Sequence, residues 1–225
     1  MIPDVMGFDR AAPYLFGAFL VGYLIGALPV GLAVAKLFGL GDVRAAGSGN
    51  IGANNLLRLG GARAGAVTLL LDAAKGAAPA MIAFLYFGPV ASACAGFGAF
   101  LGHCFSVYLR FWGGKGVATG FGVLLVWRWE VALICAAAWA ATALLGRRAS
   151  LASLAAALAA AALFPRYEEW TYAWPVFAMT AIIFLRHAGN IRRLATGAEP
   201  RIRIGGGGGG DGGGGGAEAG DGRAS

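Results

Sequence analysis

A basic, glycine-rich stretch, Tyr108-Leu-Arg-Phe-Trp-Gly-Gly-Lys-Gly-Val-Ala-Thr119, interrupts a series of long apolar runs. Gly113, Gly114 and Gly116 allow a tight turn that aims several backbone N–H groups at one anion. Lys115 adds a mobile point charge inside that cradle, and Arg110 offers a guanidinium fork at its edge. Such a loop suits a phosphate. It is not a Walker A loop, because Gly116 rather than Ser or Thr follows Lys115 and no glycine stands at the required earlier position. The competing reading is an ordinary turn whose cations only mark one side of a membrane.

A second glycine-rich loop, Ala46-Gly-Ser-Gly-Asn-Ile-Gly-Ala-Asn-Asn-Leu-Leu-Arg58, carries hydroxyl, amide and guanidinium groups. Its Gly47-x-Gly49-x-x-Gly52 matches a dinucleotide fingerprint, but no strand precedes it and Asp72, where the ribose acid would stand, lies in an apolar run. A nucleotide fold is thereby disfavoured. Ser48, Gly49, Asn50, Gly52, Asn55 and Arg58 remain as candidate ligands of an anion, with Asn54 or Asn55 also suited to cap a helix start. Towards the C-terminus, Arg186-His-Ala-Gly-Asn-Ile-Arg-Arg193 places His187 and Asn190 three apart, so a helical turn would aim both at one point. Arg193 closes that segment, and Ser150 opens an alanine-rich run. His103 and Ser106 lie three apart at the end of another apolar run. No His-x4-Asp acyltransferase motif, Gly-x-Ser-x-Gly elbow or metal-ligand cluster is written in the chain. Asp72 and Lys75 share a helix face inside an apolar run and are expected to pair there, chiefly as a structural ion pair.

The elements that must position these groups are membrane spans. The chain has 225 residues, 58% of them hydrophobic, which indicates one all-α polytopic domain. The net charge of +7 resides in short loops between spans, so lipid headgroups and anionic substrates are expected partners and nucleic acid is not. Cys94, Cys104 and Cys135 sit in apolar runs and read as buried thiols. Spans are expected over 13–38 with a kink at Pro29, 64–87, 89–107, 150–164 and 171–185, with 39–63 as a polar loop. Residues 117–146 read as one kinked crossing or two short ones hinged at residues 127–130. Charge decides for two. Arg44, Arg58, Arg63, Arg110, Lys115, Arg147, Arg148, Arg186, Arg192, Arg193, Arg201 and Arg203 then share one side, against Arg10, Arg128 and Arg166 on the other. This predicts seven transmembrane helices, with the N-terminus outside, the C-terminus in the cytoplasm and the motif loops on the cytoplasmic face. Residues 1–204 form the membrane domain, and the glycine-rich 205–225 is expected to be a disordered tail.

Ser48-Gly-Asn-Ile-Gly-Ala-x-Asn, Leu71-Asp-x-x-Lys-Gly76, Gly102-His-x-Phe-Ser-x-Tyr-Leu-x-Phe-x-Gly-Gly-Lys-Gly-Val-Ala-Thr119 and His187…Asn190-Ile…Glu199-Pro together resemble the bacterial acyl-phosphate:glycerol-3-phosphate acyltransferases of the PlsY type. The resemblance implies a seven-helix enzyme of the bacterial inner membrane that moves a fatty acyl group from acyl phosphate to glycerol 3-phosphate. It needs no cofactor or metal, acts as a monomer and forms no covalent acyl-enzyme. The resemblance puts glycerol phosphate on Arg58, Lys115, Ser150, His187 and Asn190, and the acyl phosphate on Ser48, Asn50 and the neighbouring glycines. Asn54 and Ala188 depart from the pattern, which usually has Thr and Arg there. His187 or the donor's own phosphate takes the proton of the attacking hydroxyl. An organic-phosphate transporter is disfavoured by the lack of an internal repeat, and a CDP-alcohol phosphotransferase by the lack of an Asp cluster.

Overall fold

The computed structural model describes residues 8–167 and 170–202, and every regular element among them is helical. The first apolar run is split into α1 (Phe8–Gly26) and α2 (Val30–Leu37), broken ahead of Pro29, which cannot donate to a helical carbonyl. Carbonyls freed inside a hydrocarbon layer need other donors. The Ser106 hydroxyl donates to the Ala27 carbonyl at 2.6 Å, and Lys75 Nζ to the Leu28 carbonyl at 3.0 Å. Lys75 also pairs with Asp72 at 2.9 Å, so the expected buried ion pair forms and reaches the helix break as well.

Helix α3 (Ala53–Phe87) is two helices that meet at Gly61, so Arg58 stands on a short helix rather than in a loop, while the long apolar helix begins close to the expected Ala64. The break between them is Gly61, at φ 74° and ψ −174°, a conformation that is strained for any residue with a Cβ. The expected cap is also corrected. Gly52 is the N-cap, with no side-chain capping bond, and Asn55 is turned back onto the preceding loop. Next come α4 (Pro89–Cys104), α5 (Val117–Trp127) and α6 (Trp129–Gly146), the last two divided at Arg128 as the two-helix reading of 117–146 requires. The remaining helices are α7 (Ala149–Leu163), α8 (Trp170–Arg186) and the short α9 (Ala188–Ala195).

Small residues set the helix approaches, as expected where lipid supplies no hydrophobic drive between helices. A Cβ on Gly26 of α1 would lie 2.0 Å from the Ala99 carbonyl of α4, and one on Gly122 of α5 would lie 2.0 Å from the Ala73 carbonyl of α3. The main core lies among α4 to α8, centred on Phe100, Val123, Val131, Phe164 and Val176. Among the described residues, five segments, 10–37, 53–87, 89–109, 129–146 and 149–167, are long and apolar enough to cross a membrane. Val117–Trp127 is apolar but has 11 residues, and α8 has 17. The glycine-rich tail expected over 205–225 lies outside the described residues.

Candidate active site

One pocket of about 430 Å³ opens where the N-terminal ends of α3, α5 and α7 meet α9. It is lined by Ser48, Asn50, Gly52, Asn55, Arg58, His103, Lys115, Gly116, Ser150, His187, Asn190 and Arg193, so most of the candidate ligands converge across the length of the chain. Gly49, Ser106, Arg110, Gly113 and Gly114 are not among its walls. Gly49 instead turns the first loop at φ 70°, and Ser106 serves the α1–α2 break. Arg110 sits in a left-handed turn on the surface.

The glycine loop is built differently from the expected cradle. The N–H groups of Gly113 and Gly114 are already spent on the carbonyls of Cys104 at 3.2 Å and His103 at 2.9 Å. Their carbonyls are gripped by Arg186, whose Nε donates to Gly114 at 3.0 Å and whose Nη2 donates to Gly113 at 2.6 Å. These two positions are small because the loop lies flat on α4. A Cβ on Gly114 would come within 2.1 Å of His103 Nε2. The loop is therefore a rigid mount that delivers Lys115 and the first turn of α5. Arg186, which the sequence did not single out, is the residue that fixes it.

Lys115 Nζ donates to Asn190 Oδ1. Asn190 Nδ2 in turn donates to Glu199 at 2.6 Å, and Arg193 Nε donates to the other Glu199 oxygen at 2.8 Å. Burial lowers the Lys115 pKa to about 8, with Arg193 and Arg186 adding to the fall and Glu199 opposing it. Burial would raise Glu199, but hydrogen bonds from Asn190 and Arg193, with the Ser150 hydroxyl nearby, prevail and hold it below the usual carboxylate range. Ser150 contributes a buried hydroxyl beside that carboxylate, without a hydrogen bond of full geometry. Glu199 belongs to a recognised motif, yet its bridging part cannot be read from the chain, since only the fold after α9 carries it back over the pocket. The Ile202 N–H, bonded to the Arg147 carbonyl at 2.6 Å, pins that strap down.

His187 caps α9, with Nδ1 2.8 Å from the Ile183 carbonyl. A carbonyl only accepts, so the proton sits on Nδ1 and Nε2 is left as an acceptor. Burial, followed by the charge of Lys115, lowers the His187 pKa to about 4, so the ring is neutral at pH 7. Asn55 is a positioning residue by geometry. Its Oδ1 accepts the Ser48 N–H at 2.9 Å, while Nδ2 donates to the carbonyls of Val43 at 3.0 Å and Ala46 at 3.2 Å. Asn50 closes its own turn on the Gly52 N–H at 3.0 Å. Beneath the pocket, His103 Nδ1 lies 3.0 Å from Thr119 Oγ1 and 3.5 Å from Asp72 Oδ1, tying α3, α4 and α5 together. Arg58, at the rim, is exposed and makes no ion pair among the described residues.

Fold and site together define a multi-pass membrane protein with a pocket lined by cations, amides and hydroxyls where the helix N-termini meet α9. A family model described as glycerol-3-phosphate acyltransferase matches residues 16–197. Relatives named glycerol-3-phosphate acyltransferase include one from Brucella canis, 53% identical over 190 residues, covering 84% of this chain and 93% of the relative. Another, from Jannaschia sp., is 51% identical over 207 residues, covering 90% and 98%. The crystal structure of PlsY (YgiH), an integral membrane glycerol 3-phosphate acyltransferase, in its glycerol 3-phosphate form superposes with a TM-score of 0.79 at 37% identity, covering 84% of this chain and 96% of that one. Its lysophosphatidic acid form gives 0.78 at 36% identity. The chain belongs to the glycerol-3-phosphate acyltransferase family.

Proposed function

We propose that the protein transfers a fatty acyl group from acyl phosphate to the sn-1 hydroxyl of glycerol 3-phosphate, giving lysophosphatidic acid and inorganic phosphate. The observation that carries this reading is the single pocket that joins Lys115, Asn190, His187, Ser150 and Arg58 to the Ser48–Gly52 loop. Glycerol 3-phosphate lies against Lys115, Arg58, Ser150 and Asn190, with Arg193 behind, and the donor phosphate lies against Ser48, Asn50, Gly52 and the Gly116 end of α5. The related crystal structures are a glycerol 3-phosphate form and a lysophosphatidic acid form, which supports the substrate and product classes.

The chemistry asks mainly for placement, because an acyl phosphate is a mixed anhydride with a good leaving group. The hydroxyl oxygen bonds to the acyl carbon, the acyl–phosphate C–O bond breaks, and phosphate leaves with the electron pair. Screening two phosphates and bringing the hydroxyl within reach supplies much of the rate. With a pKa near 4, His187 is a weak base at neutral pH, so it orients the hydroxyl by accepting its hydrogen bond at Nε2. The leaving phosphate takes the proton. Seven crossings, with the C-terminus and the pocket on the cytoplasmic side of the bacterial inner membrane, complete the reading, and the protein works as a monomer without cofactor or nucleic acid.

The test is purified protein with labelled glycerol 3-phosphate and matched acyl phosphate, acyl-CoA or acyl-carrier protein, all without divalent metal. Product from acyl phosphate alone is expected. Equal product from acyl-CoA would overturn the donor assignment, and absolute dependence on added metal would overturn the metal-free chemistry.

A further inference from the structure

The segment from Gly114 to Thr119 carries ligands for both proposed phosphates. Lys115 serves the acceptor, and Gly116 with the first turn of α5, which has no side-chain cap, serves the donor. Both ends of that segment rest on one residue. At the first end, the His103 carbonyl accepts the Gly114 N–H at 2.9 Å, and a Cβ on Gly114 would meet the ring at Nε2 within 2.1 Å. At the other end, Nδ1 of the same ring lies 3.0 Å from Thr119 Oγ1. The imidazole thus spans the junction of glycine loop and α5, with Lys115 and Gly116 between its two contacts.

The ring is itself held from behind. Asp72 Oδ1 lies 3.5 Å from Nδ1, and a carboxylate only accepts, so it favours the tautomer with the proton on Nδ1. Asp72 is bound by Lys75 at 2.9 Å, and Lys75 by the Leu28 carbonyl at 3.0 Å. Asp72, His103 and Thr119 are exposed by only 2%, 4% and 0%. Stability alone does not call for this chain, because apolar side chains of like volume often replace a buried ion pair without loss. Ionisable groups at membrane depth are costly and mark function. Packing leaves them a task. A Cβ on Gly76 of α3 would stand 2.3 Å from the Thr119 carbonyl, so α3 and α5 meet backbone to backbone. Such a smooth contact sets their separation, whereas a directional hydrogen bond at Thr119 sets their register.

We propose that His103, oriented by Asp72, is a positioning residue that fixes the donor phosphate relative to the acceptor phosphate, and so the acyl carbon relative to the attacking hydroxyl. It acts through Gly114 and Thr119 rather than as a substrate ligand. The proposal rests on the acyl-phosphate reading above.

The test uses the two attackers open to the donor's acyl carbon. Glycerol 3-phosphate gives lysophosphatidic acid and water gives the free fatty acid; in both, the acyl–phosphate C–O bond breaks and phosphate leaves with the electron pair. Only transfer depends on the mutual placement of two phosphates. Purified wild type, Thr119→Val and Thr119→Ser receive labelled acyl phosphate with saturating glycerol 3-phosphate, and both products are measured above the enzyme-free rate. Thr119→Val keeps the shape of the side chain and leaves Nδ1 its Asp72 acceptor, so only the tie to α5 is cut. Its ratio of transfer to hydrolysis should fall about tenfold, since an ångström of misplacement costs on the order of a hundredfold and one of two ties remains. Thr119→Ser restores the hydroxyl and should restore the ratio. Unfolded protein lowers both products together and cannot move the ratio. A Thr119→Val enzyme with the wild-type ratio, or a Thr119→Ser enzyme no better than Thr119→Val, would overturn the assignment while leaving the acyl-phosphate reading intact. A wild type that cleaves no acyl phosphate would remove that reading, and the proposal with it.

Discussion

Arg186 offers the most demanding test of how the site is held. It is absent from the pocket walls, yet its Nε and Nη2 bind the Gly114 and Gly113 carbonyls at 3.0 and 2.6 Å. Hydrogen bonds from a charged donor contribute about 1.5–3 kcal/mol each. The side chain is half-buried and the two bonds are coupled, so their joint worth is set near about 3 kcal/mol rather than the sum. The loop retains its N–H bonds to Cys104 and His103, so its removal should loosen the mount of Lys115 without unfolding the bundle. Arg186→Ala should therefore lower kcat/KM for glycerol 3-phosphate by about 100-fold, the equivalent of nearly 3 kcal/mol. Arg186→Lys keeps the charge but cannot bridge both carbonyls, and should fall between the two. The assay is product formation from purified protein, with thermal unfolding in parallel to exclude collapse. An Arg186→Ala enzyme within about threefold of wild type, on the scale where tenfold is 1.36 kcal/mol, would refute the mount.

Lys115 and the topology give two further tests. Burial has lowered the Lys115 pKa to about 8, so its charge is intact below that value and lost above it. The free-enzyme kcat/KM for glycerol 3-phosphate should fall as pH rises through about 8. Lys115→Ala should abolish turnover without disturbing membrane insertion. Any activity left in Lys115→Arg should lack that alkaline limb, and an unchanged limb there would assign it to another group. With His187 at about 4, no acid limb near pH 6.5 should come from the imidazole, although the second phosphate ionisation of the substrate near 6 does enter. For topology, a reporter fused after Ile204 should behave as cytoplasmic and one inserted near Glu168 as external. The reverse pattern would place the pocket on the wrong face.

Much of the site was legible because its groups are of types that phosphate chemistry demands and lie in compact motifs. Lys115, His187 and Asn190 could be named from spacing, and all three line the pocket. The break before Pro29 and the division at Arg128 were equally legible, since proline and a charged hinge act locally. Partnerships made by distant backbone were not. Nothing local distinguishes the N–H groups of Gly113 and Gly114, which α4 carbonyls consume, from a free anion cradle. Asn55 has the composition of a helix cap, but tertiary contacts with Val43 and Ala46 take its amide. Glu199 and Arg186 act through groups 9 and 72 or more residues away, a coupling that only the fold creates.

On the proposed reading, the pocket around Lys115 and Asn190 seats the phosphate of glycerol 3-phosphate. An experimental structure of the wild-type protein with glycerol 3-phosphate bound tests it most directly. The phosphate is expected within hydrogen-bonding distance of Lys115 Nζ, with Arg58 and Ser150 on its other oxygens and a glycerol hydroxyl turned towards His187 Nε2. A fully occupied substrate whose phosphate lies away from Lys115, with the Lys115–Asn190 bond undisturbed, would contradict it.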